Sequence, residues 1–268
     1  MVDMIDAGRV WADVAAVRAQ TPLVHNVTNW VVMDLTANAL LALGASPVMA
    51  HAVEEVEEMV ALAGAVVLNM GTLDDLWIAS MAATLDAARR HGKPVVFDPV
   101  GAGATRLRTQ TARRLVEAGG VSVIRGNASE IAALAGSTGR TKGVDSLDES
   151  LKVADVAERL LSLCDVVVIS GEKDVVVSRD RRCVLANGCA MMTRVTGMGC
   201  TATALVGAFL GVQPDRFLAA AHAMAVMGIA GELARDVSGG PGSLRMHFLD
   251  ALYDLDEEKI ASRLRVER

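Results

Sequence analysis

Short runs of β-branched residues alternate along this chain with longer stretches of helical periodicity. Most of the short runs are apolar throughout, which is typical of strands covered on both faces. The alternation predicts an α/β protein with a mostly parallel central sheet and helices on both faces. The predicted strands are residues 23–27, 47–50, 65–70, 94–98, 122–125 and 166–170, and the predicted helices are residues 30–43, 53–63, 73–91 and 129–134.

The pattern changes after Ser170. Residues 174–178 and 182–187 flank the polar corner 179–181, which predicts a hairpin and therefore antiparallel strands at one edge of the sheet. From Gly199 to Asp256 the pattern is mostly helical, with a break at 237–242. The glycine-rich stretch 136–146 predicts either a mobile loop or a solvated connector. With no internal repeat, residues 1–268 are predicted to form one domain.

Composition excludes several classes of partner. A net charge of −6, 3% aromatic residues and no basic run argue against a nucleic-acid surface, so a small molecule is the expected partner. No apolar run approaches about 18 residues, and the N-terminus lacks a basic region followed by an apolar one. We therefore expect a soluble, cytoplasmic protein without a membrane partner.

The four cysteines show no C-x-x-C spacing, so a zinc site is not expected. Cys164 and Cys183 lie in or beside predicted strands and are interpreted as core thiols, and Cys189 is interpreted similarly.

The segment 195–204, V-T-G-M-G-C-T-A-T-A, places two glycines and a cysteine where a loop becomes an apolar helix. The unpaired amides at the start of this helix would form an anion site, and they would favour the thiolate of Cys200. A tight turn shaped by Gly197 and Gly199, with a buried Cys200, is the alternative. Neither the Rossmann nor the Walker fingerprint is present.

Polar residues also follow three predicted strands, where ligands bind in open α/β sheets. Asp98, Arg125 and Ser170 lie at strand ends, and Glu130 opens the helix after Arg125. The two carboxylates are ligands of the kind Mg²⁺ uses, and the arginine suits a phosphate oxygen. Alternatively, Glu130 stabilises its own helix terminus and Asp98 forms a turn before proline.

The first two strands end in H-N-V-T-N and P-V-M-A-H. Asn26, Thr28 and Met49 are candidates to line an organic-substrate pocket. Capping of the next helix by Thr28 or Asn29, and simple packing of Met49, remain alternatives. His25 at the first strand end is a weaker candidate, because histidines at such positions are more often structural.

Taken in order, these segments resemble the hydroxyethylthiazole kinase family from about Thr21 to Leu255. The resemblance rests on H-N-V-T-N, A-N-A-L-L-A-L-G-A-S-P-V-M, D-P-V-G-A-G, R-G-N-A-S-E, S-G-E-K-D, V-T-G-M-G-C and G-P-G-S-L-R-M-H-F-L-D-A-L-Y. It implies a ribokinase-like fold and phosphorylation of 4-methyl-5-(2-hydroxyethyl)thiazole by ATP and Mg²⁺ in thiamine salvage. It also implies a homotrimer with the thiazole pocket at the subunit boundary.

The resemblance further implies roles for individual residues. Those assigned to the thiazole are Met49 and Gly197, with Asn26 and Thr28 nearby; those assigned to ATP are Arg125 and Ser170; those assigned to magnesium and phosphates are Asp98 and Glu130. Cys200 takes the position where most ribokinase-like kinases have an aspartate base. Ser170 and Met198 stand where threonine is frequent in the family, and neither change removes a backbone amide.

The mechanism that follows is in-line transfer of the γ-phosphoryl group to a primary alcohol. Two other hypotheses remain open. Cys200 would be a covalent nucleophile with His25 or His222 as its base, or the chain would be a nucleotide sensor without catalysis. Because pyrimidine and pyridoxal kinases share the fold, the choice of substrate rests on the first two strand ends and on the resemblance.

Overall fold

The computed structural model describes residues 5–136 and 153–267. Within these ranges one nine-stranded sheet has the order β2-β1-β3-β4-β5-β6-β7-β8-β9. Strands β1 to β6 are parallel, and β7, β8 and β9 are each antiparallel to the preceding neighbour. The strands are β1 Leu23–Val27, β2 Ser46–Val48, β3 Ala65–Asn69, β4 Val95–Asp98, β5 Val123–Asn127, β6 Val166–Ser170, β7 Asp174–Val177, β8 Arg182–Leu185 and β9 Val266–Glu267.

Helices cover both faces of this sheet. They are α1 Ala7–Gln20, α2 Met33–Leu43, α3 Val56–Leu62, α4 Asp75–Arg90, α5 Arg106–Glu117, α6 Ala128–Leu134, α7 Met198–Leu210, α8 Arg216–Asp236, α9 Pro241–Tyr253 and α10 Glu257–Arg263, with 3-10 turns at Glu158–Ser162 and Ala190–Arg194. Strand β3 shows the division of the core: Val67 packs with α1, α2 and α7–α9, whereas Val66 and Leu68 pack with α4–α6. The predicted α/β architecture, with its antiparallel edge, is confirmed.

Helix α7 lies directly on the centre of the sheet, and a glycine permits this. A Cβ atom on Gly207 would be 2.8 Å from Val67 Cγ2 and 3.1 Å from Val24 Cγ1. The close approach brings α7 onto the sheet, and Thr203, one turn earlier in the helix, donates to Asp98 at the end of β4. This helix therefore helps to position the site described below.

The structure differs from the predictions in several elements. Helices α1 and α5 and strand β9 were not predicted. In α5 only Thr111, Ala112, Leu115 and Val116 are buried, and arginines occupy much of the rest, so the segment contains few apolar residues to mark it as a helix. Strand β9 has two residues and is defined only by pairing with β8. Of the predicted loop 136–146, residues 137–146 lie outside the described ranges.

Cys164 and Cys183 are buried, as predicted, and burial raises the pKa of each thiol to about 12. Cys189 is half-buried. Helix α8 is long and apolar enough to cross a membrane by length and composition, with a mean hydropathy of 1.6. However, 83% of that window is buried inside the protein, as in the core helix of a globular fold.

Candidate active site

Three of the predicted strand-end residues are neighbours at the carboxyl edge of the sheet. Asp98 ends β4 and Ser170 ends β6, as predicted. Arg125 was predicted at the end of its strand but lies two residues earlier, because pairing with β6 extends β5 to Asn127. Arg125 Nη1 is 3.8 Å from Asp98 Oδ2, and Arg125 Nη2 donates to Ser170 Oγ at 2.5 Å. The guanidinium therefore joins a carboxylate and a hydroxyl from the two flanking strands.

Asp98 also accepts hydrogen bonds from two residues that were not predicted. Its Oδ2 accepts from Thr203 Oγ1 at 2.7 Å and from Asn69 Nδ2 at 2.9 Å. Asn69 ends β3 and could have been found by the same strand-end rule, whereas Thr203, in α7, carries no such signal. We call Asn69, Asp98, Arg125 and Thr203 the Asp98 network.

Burial controls the charge of Asp98. The carboxyl is 1% exposed, and this loss of solvent raises its pKa to about 7. Arg125 and the hydrogen bonds from Thr203 and Asn69 oppose the rise, and the negative charge of Glu130 adds to it. The site thus holds a carboxyl group whose charge is only partly compensated by the protein.

Glu130 ties two loops together. Its Oε2 accepts from the amide of Asn127 at 2.9 Å in a capping box, and its Oε1 accepts from the amide of Gly101 at 2.8 Å. Gly101 has a φ of 76°, a left-handed conformation that favours glycine. The helix-terminal role weighed as the alternative for Glu130 is present, and the same contacts bring its charge near Asp98.

The start of α7 has the glycine geometry that the sequence predicted. Gly197 is the N-cap residue, with a φ of 93°, and no side chain of the described residues caps the helix. A Cβ atom on Gly199 would be 2.9 Å from Arg125 Nη1, so glycine at 199 allows the guanidinium to approach the first turn. Uncapped amides and an arginine therefore lie side by side.

Cys200 lies in this first turn, but the predicted preference for thiolate is wrong. The half-buried thiol accepts a hydrogen bond from Asn29 Nδ2 at 3.6 Å. Burial, followed by the charge of Asp98, raises the pKa of Cys200 to about 11. With its pKa raised in this way, the thiol keeps its proton at neutral pH.

Among the H-N-V-T-N residues, Asn29 reaches the Asp98 network. Its Nδ2 donates to Asn69 Oδ1 at 2.7 Å. Asn26 is fully buried; its Nδ2 donates to Val24 O at 2.8 Å and its Oδ1 has no partner among the described residues. The sequence weighed Asn29 only as a helix cap and missed this contact.

The other residues around the first two strands have packing roles or partial exposure. Thr28 is buried and its carbonyl accepts from Trp77 Nε1 at 2.9 Å, while Met49 is half-buried just after β2. His25 Nε2 lies 2.7 Å from Ala50 O, and burial lowers the pKa of this ring. His25 thus has the structural role weighed for it.

A cavity of about 750 Å³ opens beside Arg125, and we call it the edge cavity. Its lining includes Arg125, Ser170, the 171–174 turn, Gly197 and Gly199 on one side. Other parts of the lining are residues 186–190 and an apolar group that includes Met192, Met224, Met227 and Gly228. Met224 and Met227, interpreted from sequence as packing residues, are buried and also line this space.

Asp174 lines the edge cavity as well and was not predicted. It begins β7, is 9% exposed, and accepts from the amide of Gly171 at 3.3 Å. Burial raises its pKa to about 7, against the influence of Arg125.

Comparison with known proteins identifies the family. Residues 14–258 match the model of the hydroxyethylthiazole kinase family. The chain is 56% identical to hydroxyethylthiazole kinase from Syntrophus aciditrophicus over 258 residues, covering 96% of each chain. It is 52% identical to the Leptospira biflexa enzyme of the same name, covering 94% of this chain and 95% of the other.

Comparison with solved structures supports the same family. The hydroxyethylthiazole kinase protein from Pyrococcus horikoshii superposes with a TM-score of 0.89 at 43% identity, covering 96% of this chain and 98% of the other. Staphylococcus aureus pyridoxal kinase in complex with pyridoxal has a TM-score of 0.66 at 15% identity over 91% of this chain and 97% of the other, a likeness of ribokinase-like fold alone. The sequence motifs, the fold and these matches together establish that the chain belongs to the hydroxyethylthiazole kinase family.

Proposed function

We propose that this protein phosphorylates the primary alcohol of 4-methyl-5-(2-hydroxyethyl)thiazole with ATP, in thiamine salvage. The supporting observation is that the Asp98 network, the uncapped start of α7 and Cys200 meet beside the edge cavity. Relatives over 50% identical along nearly the full chain carry the name of this activity.

ATP binds, in this proposal, with its base in the edge cavity and its phosphates toward α7. Met192, Met224 and Met227 offer polarizable surface to a flat ring. Arg125 and Ser170, with the amides that follow Gly197, offer donors to the phosphates. These groups would stabilise charge on the transferred phosphoryl group, where most of the catalysis of such reactions arises.

Asp98 and Glu130 are the proposed magnesium ligands. The described residues contain no cluster of three or more His, Cys, Asp or Glu side chains, so an all-protein cage is not what they offer. Mg²⁺ accepts one or two carboxylates together with water and phosphate, and an undercompensated buried Asp98 fits that donor set. When bound, the ion would neutralise charge on the phosphates.

Cys200 is proposed to contact the acceptor alcohol. Because its thiol stays protonated at neutral pH, it orients the hydroxyl rather than removing its proton before transfer. A loose transition state makes small demands on a base. We expect Cys200→Ser and Cys200→Asp to lose at most about 10²-fold to 10⁴-fold in kcat, the range of acid–base help.

The covalent alternative predicts otherwise. A nucleophilic Cys200 would make Cys200→Asp inactive, and an alkylating substrate analogue would label this residue. If Cys200→Asp folded, bound substrate normally and yet showed no turnover, the orienting role would be wrong.

We propose that the thiazole binds against Met49 and Gly197, near Asn26 and Thr28, at the boundary of a homotrimer. Support for an interface beside this pocket comes from Trp30 and Val31, which directly follow Asn29 and are 58% and 64% exposed. Light scattering coupled to gel filtration should give three times the chain mass. A monomer mass at micromolar concentration would contradict this assembly.

The decisive experiment follows ADP release from ATP and Mg²⁺, with and without the thiazole alcohol. Hydroxymethylpyrimidine and pyridoxal serve as parallel acceptors. Thiazole-dependent release supports the kinase and its substrate together, whereas release with another acceptor alone would keep the reaction and change the substrate. ATP binding without release under any acceptor would favour the sensor hypothesis.

A further inference from the structure

The C-terminal end of the described chain is attached to one wall of the edge cavity. Ala186, Asn187 and Gly188, which follow β8, belong to the cavity lining. Strand β9 pairs with β8, with Leu185 opposite Val266, and Arg265 is thereby placed beside this wall. Residues far apart in sequence thus meet behind the proposed base site.

Arg265 bonds to the wall through both its backbone and its side chain. Its carbonyl accepts from the amide of Ala186 at 3.0 Å, and its amide donates to Asn187 Oδ1 at 2.9 Å. Its Nη2 and Nε donate to Ala186 O at 2.8 and 3.1 Å.

The same guanidinium also neutralises Glu232, a carboxylate of α8 that is 8% exposed. Glu232 Oε1 accepts from the amide of Gly188 at 2.7 Å and from Asn187 Nδ2 at 3.2 Å. Arg265 Nη1 donates to Glu232 Oε2 at 3.2 Å. Without Arg265 this buried charge would lack its cation and would be driven toward water, away from Gly188.

Helix α8 packs directly against the wall formed by residues 186–188 and restricts its movement. A Cβ atom on Gly228 would be 2.6 Å from Asn187 Cβ and 2.7 Å from its carbonyl carbon, so the wall already rests on the helix. The strand also reaches the 171–174 turn, because Glu267 forms an ion pair with Lys173, which lines the cavity too. The position of the wall therefore depends on the contacts of residues 265–267.

We propose that Arg265 is a positioning residue for the nucleotide: it holds residues 186–188 in the shape that accepts the base of ATP, without touching the ligand. The inference rests on the proposed kinase activity and extends it to a residue outside the reacting centre. The proposal predicts an effect on the binding of ATP and none on the binding of the thiazole alcohol. The Asp98 network, Cys200 and Met49 share none of the contacts of Arg265 just described.

The test compares Arg265→Ala with Arg263→Ala. Arg263 precedes Arg265 by two residues, and its side chain pairs with Asp236, whereas only its carbonyl accepts from Asn187. We expect Arg265→Ala to raise KM for ATP about 10-fold, the scale of lost charge-assisted hydrogen bonds, with kcat and KM for the thiazole alcohol unchanged. Arg263→Ala should leave all three constants unchanged.

Titration calorimetry with ATP alone, without acceptor, gives the same comparison independently of turnover. Arg265→Lys keeps the charge beside Glu232 and loses the paired bonds to Ala186, so we expect an intermediate affinity; it also carries the test if Arg265→Ala does not fold. Unchanged ATP affinity in the Arg265 variants, or an equal loss in KM for both substrates and in kcat, would overturn the inference. Wild-type protein that binds no ATP would overturn the proposed function itself.

Discussion

The Asp98 network and the edge cavity are adjacent but built in different ways. In the network, side chains from β3, β4, β5 and α7 meet around one buried carboxylate oxygen. The cavity is lined instead by residues 186–190 and by four methionines, Met192, Met198, Met224 and Met227, together with Arg125, Ser170 and the 171–174 turn. The Asp98 network depends on the identity of its polar side chains, whereas the edge cavity depends on the position of the chain segments that form its wall.

This difference indicates where each region is sensitive. In the network, removal of a charge or a hydroxyl should lower kcat while the fold is retained. The cavity should lose affinity for ATP when added volume, or the loss of a contact that holds the wall, moves residues 186–188. Substitutions in each region, compared with control substitutions of similar size or position, distinguish these two kinds of sensitivity.

The largest effect is expected from Asp98→Asn. The amide has the shape of the carboxyl but removes the charge opposite Arg125 and the proposed magnesium ligand. We expect kcat to fall about 10²-fold to 10⁴-fold with no loss of thermal stability, measured by ADP release and by melting temperature. Near-wild-type turnover would show that the charge of Asp98 is not needed for catalysis.

The cavity counterpart is Gly228→Ala. The added Cβ would be 2.6 Å from Asn187, where backbone must move, so we expect KM for ATP to rise about 10-fold and stability to fall by about 1–3 kcal/mol. Gly242→Ala is the control: residue 242 also lies in a helix, and no atom lies within 4 Å of the added Cβ. Equal effects of the two variants would show that the position of the wall does not determine KM for ATP.

A smaller effect is expected from Thr203→Val, which removes one of the hydrogen bonds to Asp98 Oδ2 and keeps the volume. We expect kcat to fall about 5-fold with KM for ATP unchanged, because the variant leaves Asn69 and Arg125 in place. Thr203→Ser, which keeps the hydroxyl, should restore turnover. If Thr203→Ser were as slow as Thr203→Val, the hydrogen bond would not be the cause.

The smallest effect concerns pH and lies at the boundary of the two regions. Burial raises the pKa of Asp174 to about 7 in the folded state, whereas in the unfolded chain it titrates near its ordinary value of about 4. The folded protein therefore retains this proton longer, and the stabilising contribution is complete below about pH 4 and is lost as pH rises through about 7.

Because Asn does not titrate, Asp174→Asn should gain stability relative to wild type between about pH 4 and pH 7, with a constant difference above about pH 8. Urea unfolding of both proteins across this range measures the difference. A difference that does not vary with pH would mean that folding does not raise the pKa of Asp174.

Much of the Asp98 network could be predicted from sequence. Two of its four members, Asp98 and Arg125, were found together with the neighbouring Ser170, because the carboxyl ends of parallel strands meet at one edge. This rule needs only the order of polar residues after apolar runs. Asn69 obeys the same rule and was missed. Thr203 gave no signal, since threonine inside an apolar helix is unremarkable until its partner is known.

Cys200 shows the limit of local reasoning. A helix N-terminus favours a thiolate, and nothing in the sequence around 200 suggests otherwise. The structure adds burial and Asp98, which is about a hundred residues away in sequence, and these reverse the expected shift of pKa. Electrostatic effects depend on distance in space, so a sequence window could not provide them.

The sequence by itself determined the mostly parallel sheet, its antiparallel edge, the family and the strand-end residues, because hydrophobic period and motif order are local properties of the chain. Only the tertiary structure decided the charge state of Cys200, the contacts of Thr203 and the attachment of Arg265 to residues 186–188. The edge cavity belongs to the second group as well. Each arises from long-range packing, where burial and close approach between distant segments set the energies.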